Sequence, residues 1–148
     1  VHYDVAIQNE SPRSIAVLRF RATHAQLSQA IPKACGDVWN FIRANNIPGA
    51  GRHVAIYYDG VINVECGVEI NGPFPSDGNV LASHTPSGLV ATTAHFGPYD
   101  QLGDAHRAIV DTCRSQGYDF AGPNWEIYGH WTGDPHQART DVYYLLKS

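Results

Sequence analysis

Hydrophobic residues recur along this chain in two rhythms, one of period two and one near 3.6, and the switches between them mark its elements. Tyr3 to Gln8 and Ser14 to Arg21 read as short strands parted by a turn at Ser11-Pro12, the second carrying Ile15, Val17 and Leu18 ahead of its arginines. From about Ser28 to Asn45 the period lengthens, with Ile31, Ala34, Val38 and Phe41/Ile42 on one helical stripe and Trp39 at its edge. Pro32 has no amide hydrogen, so the regular helix is expected to begin near it, where that loss is harmless. Two strand patterns follow, His53 to Tyr58 and Val61 to Ile70, joined at the hairpin signal Asp59-Gly60. In the second, Val64, Cys66, Val68 and Ile70 share one face while Glu65, Gly67 and Glu69 share the other.

The segment Asn71 to Gly78, rich in Gly, Pro and Asn, is a compact linker, and after it the order of elements recurs. Gly88 to Phe96 reads as strand and breaks at Gly97-Pro98. A helix opens at Tyr99 or Asp100 and runs to about Gln116 on the stripe Leu102, Ala105, Ile109 and Cys113, with Gly117 as its stop. Asn124 to Trp131 and Thr140 to Leu146 are the last strands, separated by the polar connection Thr132 to Ala138. Strand-helix-strand-strand has then occurred twice. A residue echo runs in the same register: Ala50, Gly51, Ile56 and Tyr57 match Ala121, Gly122, Ile127 and Tyr128. The expectation is one α+β domain over 1–148, built from pseudo-repeats 1–72 and 77–148 related by a pseudo-twofold, with an antiparallel sheet and a central ligand cleft where the halves meet.

Composition narrows the function. Hydrophobic residues at 43% and charged residues at 16% are ordinary globular usage, so 148 residues suffice for one core. A net charge of -4 offers no basic surface to collect phosphates, which argues against direct nucleic-acid binding. No run approaches a transmembrane span, and the first residues lack a secretory pattern. Cys35, Cys66 and Cys113 are scattered and form no CxxC pair, which reads as reduced thiols in a cytoplasmic protein. The eight His residues form no HExxH, close HxH pair or Cys/His cluster, so neither metal nor cofactor is expected.

One acid changes the picture. Glu126 sits inside the aromatic strand Trp125-Glu126-Ile127-Tyr128, where a buried carboxylate needs partners, protonation or a ligand. Parity puts Glu126 and Tyr128 on one face, with Trp125 and Ile127 on the other. At the matching register of the first half stand Ala55 and Tyr57, so the fold itself does not require the acid. The bland reading is a solvated residue, or an ion pair with Arg139. The sharper one puts Glu126 in the cleft with Tyr57 and Tyr128 as walls, recognising an aromatic, cationic ligand. A third has Glu126 act on a strained electrophile as acid or base, with a hydroxyl from Tyr57, Tyr128 or Tyr144. Glu65 and Glu69 are candidates for the far side of the cleft, and Phe96 and Trp131 for a rim. His95-Phe96-Gly97-Pro98-Tyr99 reads as a strand-to-helix bend rather than a catalytic motif.

Leu89 to Ala94, the His95-Phe96-Gly97-Pro98-Tyr99 turn, the helix after it, Gly122-Pro123 and the later Glu126-x-Tyr128 together resemble the GyrI-like effector-binding family. The resemblance covers almost the full chain. It implies a duplicated SHS2 module (strand-helix-strand-strand), with Glu126 matching the family's central ligand-recognition acid. The chain shows no attached helix-turn-helix, so the expectation is a stand-alone binding or sequestering protein for aromatic, cationic or amphipathic molecules, with a separate regulatory protein as a partner. Similar stand-alone members hydrolyse cyclopropanoid natural products. That keeps a hydrolase using Glu126, Tyr57 and Tyr144 as the alternative.

Overall fold

The computed structural model describes residues 3–58, 63–72, 74, 79–129 and 138–147. Its strands are β1 (Ala6–Glu10), β2 (Ser14–Arg21), β3 (His53–Tyr57), β4 (Asn63–Glu69), β5 (Leu81–His84), β6 (Gly88–Phe96), β7 (Phe120–Tyr128) and β8 (Arg139–Leu146). Its helices are α1 (Leu27–Ala44) and α2 (Leu102–Gln116). The strands form one eight-stranded sheet in the order β1-β6-β8-β7-β3-β4-β2-β5, and every pairing is antiparallel. From the centre outward the order is β3-β4-β2-β5 on one side and β7-β8-β6-β1 on the other.

The helices form where their stripes meet the sheet. Ala34, Val38 and Ile42 of α1 are buried, as are Leu102, Ala105, Ile109 and Cys113 of α2. A step of 71 residues carries Ile31, Ala34, Val38 and Ile42 onto those four positions, and the same step carries Ala55 onto Glu126. α1 packs on β4, β2 and the edge of β3, whereas α2 packs on β6 and β8. The central pair β3/β7 is left under the gap between them.

The opposite face of the sheet is also dry. Ile15, Val17, Val54, Ile56, Val90, Trp125, Ile127 and Tyr143 form one buried cluster that neither helix touches. Trp125 and Tyr143 stack there with ring centroids 5.2 Å apart and planes within 7°. Side chains from β2, β3, β6, β7 and β8 meeting without a helical cover imply a sheet curled around its own face.

Several expectations need correction. α1 starts at Leu27, and Pro32 lies inside it. The proline removes one hydrogen bond in the second turn, but burial of the stripe outweighs that local loss. β7 starts at Phe120 rather than Asn124, with an irregularity between them where Gly122 adopts φ +125°. β5 was not expected. It pairs with β2, while β1 pairs with β6, so the edge strands cross between the halves. The Asp59-Gly60 turn and Trp131 lie outside the described residues.

Candidate functional site

The register of β3 on β7 pairs Ala55 directly with Glu126, flanked by Tyr57 opposite Asn124 and His53 opposite Tyr128. The two positions that correspond by sequence are therefore also cross-strand partners, at the middle of the sheet. Ala55, Tyr57 and Tyr128 pack with residues of α1, which fixes this as the helical face. Trp125 and Ile127 point the other way, as strand parity requires.

Glu126 is 6% exposed, and both its oxygens have donors. The Tyr128 hydroxyl donates to Oε1 at 2.6 Å. His106, on α2, places Nε2 2.6 Å from Oε2. The other ring nitrogen, Nδ1, lies 2.7 Å from the Tyr144 hydroxyl. With the proton on Nε2, His106 donates to the carboxylate and accepts from Tyr144, so Tyr144, His106, Glu126 and Tyr128 form one continuous chain. Arg139 is not part of it. Its guanidinium bonds Asp141 at 3.0 Å and lies 5.5 Å from the Phe96 ring centroid, so the proposed Glu126–Arg139 ion pair does not form.

The charge on Glu126 is felt by its aromatic neighbours. Burial, reinforced by that carboxylate, raises the hydroxyl pKa values of Tyr57 and Tyr128 above the ordinary tyrosine range. For Tyr144 the same two causes push the value up to about 12. These hydroxyls are neutral donors at physiological pH, suited to orienting a group rather than to giving up a proton freely.

A cleft of about 890 Å³ opens on this face. One wall is α1, through Leu27, Ile31, Pro32, Cys35, Gly36 and Trp39. Gly51, Arg52, His53, Tyr57, Tyr128 and Gly129 contribute from the sheet and Leu102 from α2. Glu126 is not among the lining residues. Tyr128 does line the cleft, and its hydroxyl bonds the carboxylate. Trp39 and His53 meet edge-on at 6.1 Å, adding a second aromatic element.

The other sequence candidates fall elsewhere. Glu65 lies on the opposite face, 2% exposed, accepting from Tyr58 at 2.9 Å, Ser83 at 2.7 Å and Arg19 at 2.5 and 2.9 Å. Glu69 holds Arg52 at 2.9 Å. Phe96 is 62% exposed against Arg139, away from Glu126. His95 joins the Pro98 carbonyl and the Tyr3 hydroxyl, each at 2.9 Å, which fits the structural reading of its motif. Thr140, beside Tyr128 in the sheet, has a buried hydroxyl with no partner among the described residues.

Sequence reasoning missed His106. It stands at the margin of the α2 stripe, one residue after Ala105, and the 71-residue step makes it the counterpart of Cys35 in α1. That periodicity was the available signal. Among the described residues no group of three or more His, Cys, Asp or Glu side chains is placed to hold a metal, and no helix is long and apolar enough to cross a membrane.

Residues 3–147 match the GyrI-like small molecule binding domain, and the chain belongs to that family. Membership gives it the family's general role, binding of a small-molecule effector. Among solved structures, the C-terminal domain of EcmrR superposes with a TM-score of 0.78 at 20% identity, covering 100% of this chain and 99% of that one. In the cryo-EM complex of EcmrR with DNA the TM-score is 0.76 at 19% identity, and the match covers 99% of this chain but 58% of EcmrR. SAV2435 bound to tetraphenylphosphonium gives 0.66 at 10% identity, covering 100% and 95%. A hydrolase from Listeria innocua gives 0.64 at 7% identity, covering 97% and 91%. At these identities the likeness concerns the fold. Comparison with curated proteins gives no match.

Proposed function

We propose that the cleft between α1 and the β3/β7 pair reversibly binds an aromatic, cationic or amphipathic small molecule, and that Glu126 supplies the charge that selects it. The observation that carries this reading is the shared carboxylate: Glu126 is buried, held by Tyr128 and His106, and bonded to a tyrosine that lines the cleft. A delocalised cation gains from the faces of Tyr57, Tyr128 and Trp39 and from the negative charge that Tyr128 bonds. It has no large hydration shell to lose, which suits an apolar cleft. The tetraphenylphosphonium bound by the structurally similar SAV2435 is a ligand of this chemical kind. Glu65 and Glu69 belong to other networks and take no part in this reading. The matched sheet order and the 71-residue step support descent of both halves from one duplicated SHS2 module.

The test is calorimetric titration with tetraphenylphosphonium and an uncharged isosteric tetraaryl compound, for the native protein and Glu126→Gln. The cation is expected to bind more tightly, and the substitution to remove that preference by tenfold or more. Equal affinity for both compounds, or an unchanged preference in the variant, would sink the assignment.

A hydrolytic reading rests on one observation, the imidazole between Glu126 and Tyr144. Such a chain can move a proton between a carboxylate and a hydroxyl while a strained electrophile opens. Time-resolved mass spectrometry with a cyclopropane-bearing aromatic substrate separates the two: conversion lost in Glu126→Gln favours turnover, and unchanged recovery of the compound favours binding.

A further inference from the structure

Two of the three thiols meet at the cleft wall. Cys35 of α1 and Cys66 of β4 are both buried, and their Sγ atoms lie 3.0 Å apart. Neither is in a disulfide. Their remaining polar contacts are long ones to backbone carbonyls, Cys35 to Gly67 at 3.8 Å and Cys66 to Ile31 at 3.6 Å. Around them are Ala34, Ala55 and Val64, with Tyr57 and Tyr128 packed against the same cluster. Cys35 lines the cleft and Cys66 does not, so a molecule occupying that space meets Cys35 first, with Cys66 paired to Ala55 in the sheet. A disulfide bond is about 2.05 Å long, so closure asks for about one ångström of approach between a helix side chain and a strand side chain.

We propose that Cys35 and Cys66 form a redox-modifiable dithiol, closed to a disulfide by exchange with a small aromatic disulfide that enters the cleft. Cys35 lines the cleft and Cys66 does not, so Cys35 opens the exchange, while the hydrogen bond with Cys35 and burial hold the Cys66 thiol well above its ordinary range. The Cys35 thiolate attacks one sulfur of the aryl disulfide, which forms a mixed disulfide and expels one aryl thiolate. Cys66 then loses its proton, attacks the Cys35 sulfur and expels the second aryl thiolate. Two protein thiols are oxidised to one disulfide, one aryl disulfide is reduced to two aryl thiols, and the two thiol protons end on the leaving groups. The new bond ties α1 to β4 across 31 residues of chain and fixes the α1 wall of the cleft. It is independent of which ligand the cleft binds.

The full chain is treated with 2,2′-dithiodipyridine, with pyridine-2-thione release followed by absorbance and the product by intact mass. The expected result is release of two equivalents together, a mass lower by two hydrogens, and a higher melting temperature that dithiothreitol reverses. Cys113→Ser should behave as the native protein does. Cys66→Ser should instead trap a stable pyridylthio adduct on Cys35. Lasting pyridylthio adducts on the native protein, reaction confined to Cys113, or inertness of the folded chain while the unfolded chain reacts would each overturn the proposal.

Discussion

The two helices and the two central strands place different chemistry at matched positions. In the first half Cys35 stands on α1 and Ala55 on β3; in the second, His106 stands on α2 and Glu126 on β7, each 71 residues further on. The tyrosines at the next inward-facing positions, Tyr57 and Tyr128, are the same. One half has an apolar pair of thiols, and the other has a carboxylate that arrives with its own donor. The lesson is that the acid and the imidazole work as a unit. A buried carboxylate without a partner is costly, so the half that lacks the histidine also lacks the acid.

Making the halves alike should have the largest effect. Ala55→Glu would bury a second carboxylate directly opposite Glu126, with Cys35 rather than an imidazole above it. We expect a loss of about 3–5 kcal/mol, the cost of an uncompensated buried charge, read from urea denaturation at pH 7. Adding Cys35→His to that variant should return part of the loss. A single variant as stable as the native protein would show that the centre of the sheet is not dry.

Removing the donor tests the same pairing from the other side. His106→Ala leaves Glu126 with Tyr128 alone and Tyr144 without its imidazole partner. The expected cost is about 1.5–3 kcal/mol, the range for a hydrogen bond to a charged group. Cys35→Ala, at the matched position, should cost less, because it breaks only weak thiol contacts. Equal losses by thermal melting would remove the distinction between the halves.

Much of this contrast was legible in the chain. Helix stripes and strand parity are set by local periodicity, which is why both helices, the Glu126/Tyr128 face and the asymmetry with Ala55/Tyr57 could be read directly. What sequence could not supply was proximity between distant elements. His106 reaches Glu126 from another element, and Cys35 and Cys66 meet only when α1 packs on β4, without any motif spacing. β5 is four residues long with Ser83 and His84 in it, too short and too polar to carry a period, and its partner β2 lies far upstream. Glu65 and Glu69 were correctly placed together on one strand face. Only the tertiary packing shows that this face turns away from the helices.

A smaller difference separates the outer residues of the inner strands, where Glu69 of β4 corresponds by register to Leu145 of β8. Burial alone would raise the Glu69 pKa, but hydrogen bonds from Arg52 and its charge outweigh that and lower it below 4.5. A folded-state value below the unfolded one means the stabilisation is complete above the unfolded pKa and is lost as pH falls through the folded value. Stability should therefore decline as pH is taken below 4.5, and Glu69→Gln should flatten this part of the profile. A variant with the native acid profile would assign the decline to another carboxylate.

The smallest expected effect concerns Thr140, and its sign is the informative part. Tyr128 of β7 pairs with Thr140, and Tyr57 of β3 pairs in the same way with Val64, so the first half already carries the apolar version of this position. Thr140 is fully buried, and its hydroxyl lacks a partner among the described residues. An unpaired buried hydroxyl loses its hydration on folding and gains nothing in return. Thr140→Val keeps the branched shape and removes that loss, so it should raise stability by up to about 1 kcal/mol in urea denaturation. The same variant bears on the cleft, because Thr140 neighbours the tyrosine that bonds Glu126. If Thr140→Val stabilises the protein and leaves tetraphenylphosphonium affinity unchanged, the hydroxyl is an unneeded departure from the first half. If it weakens binding while raising stability, the second half has traded stability for a polar contact with the ligand.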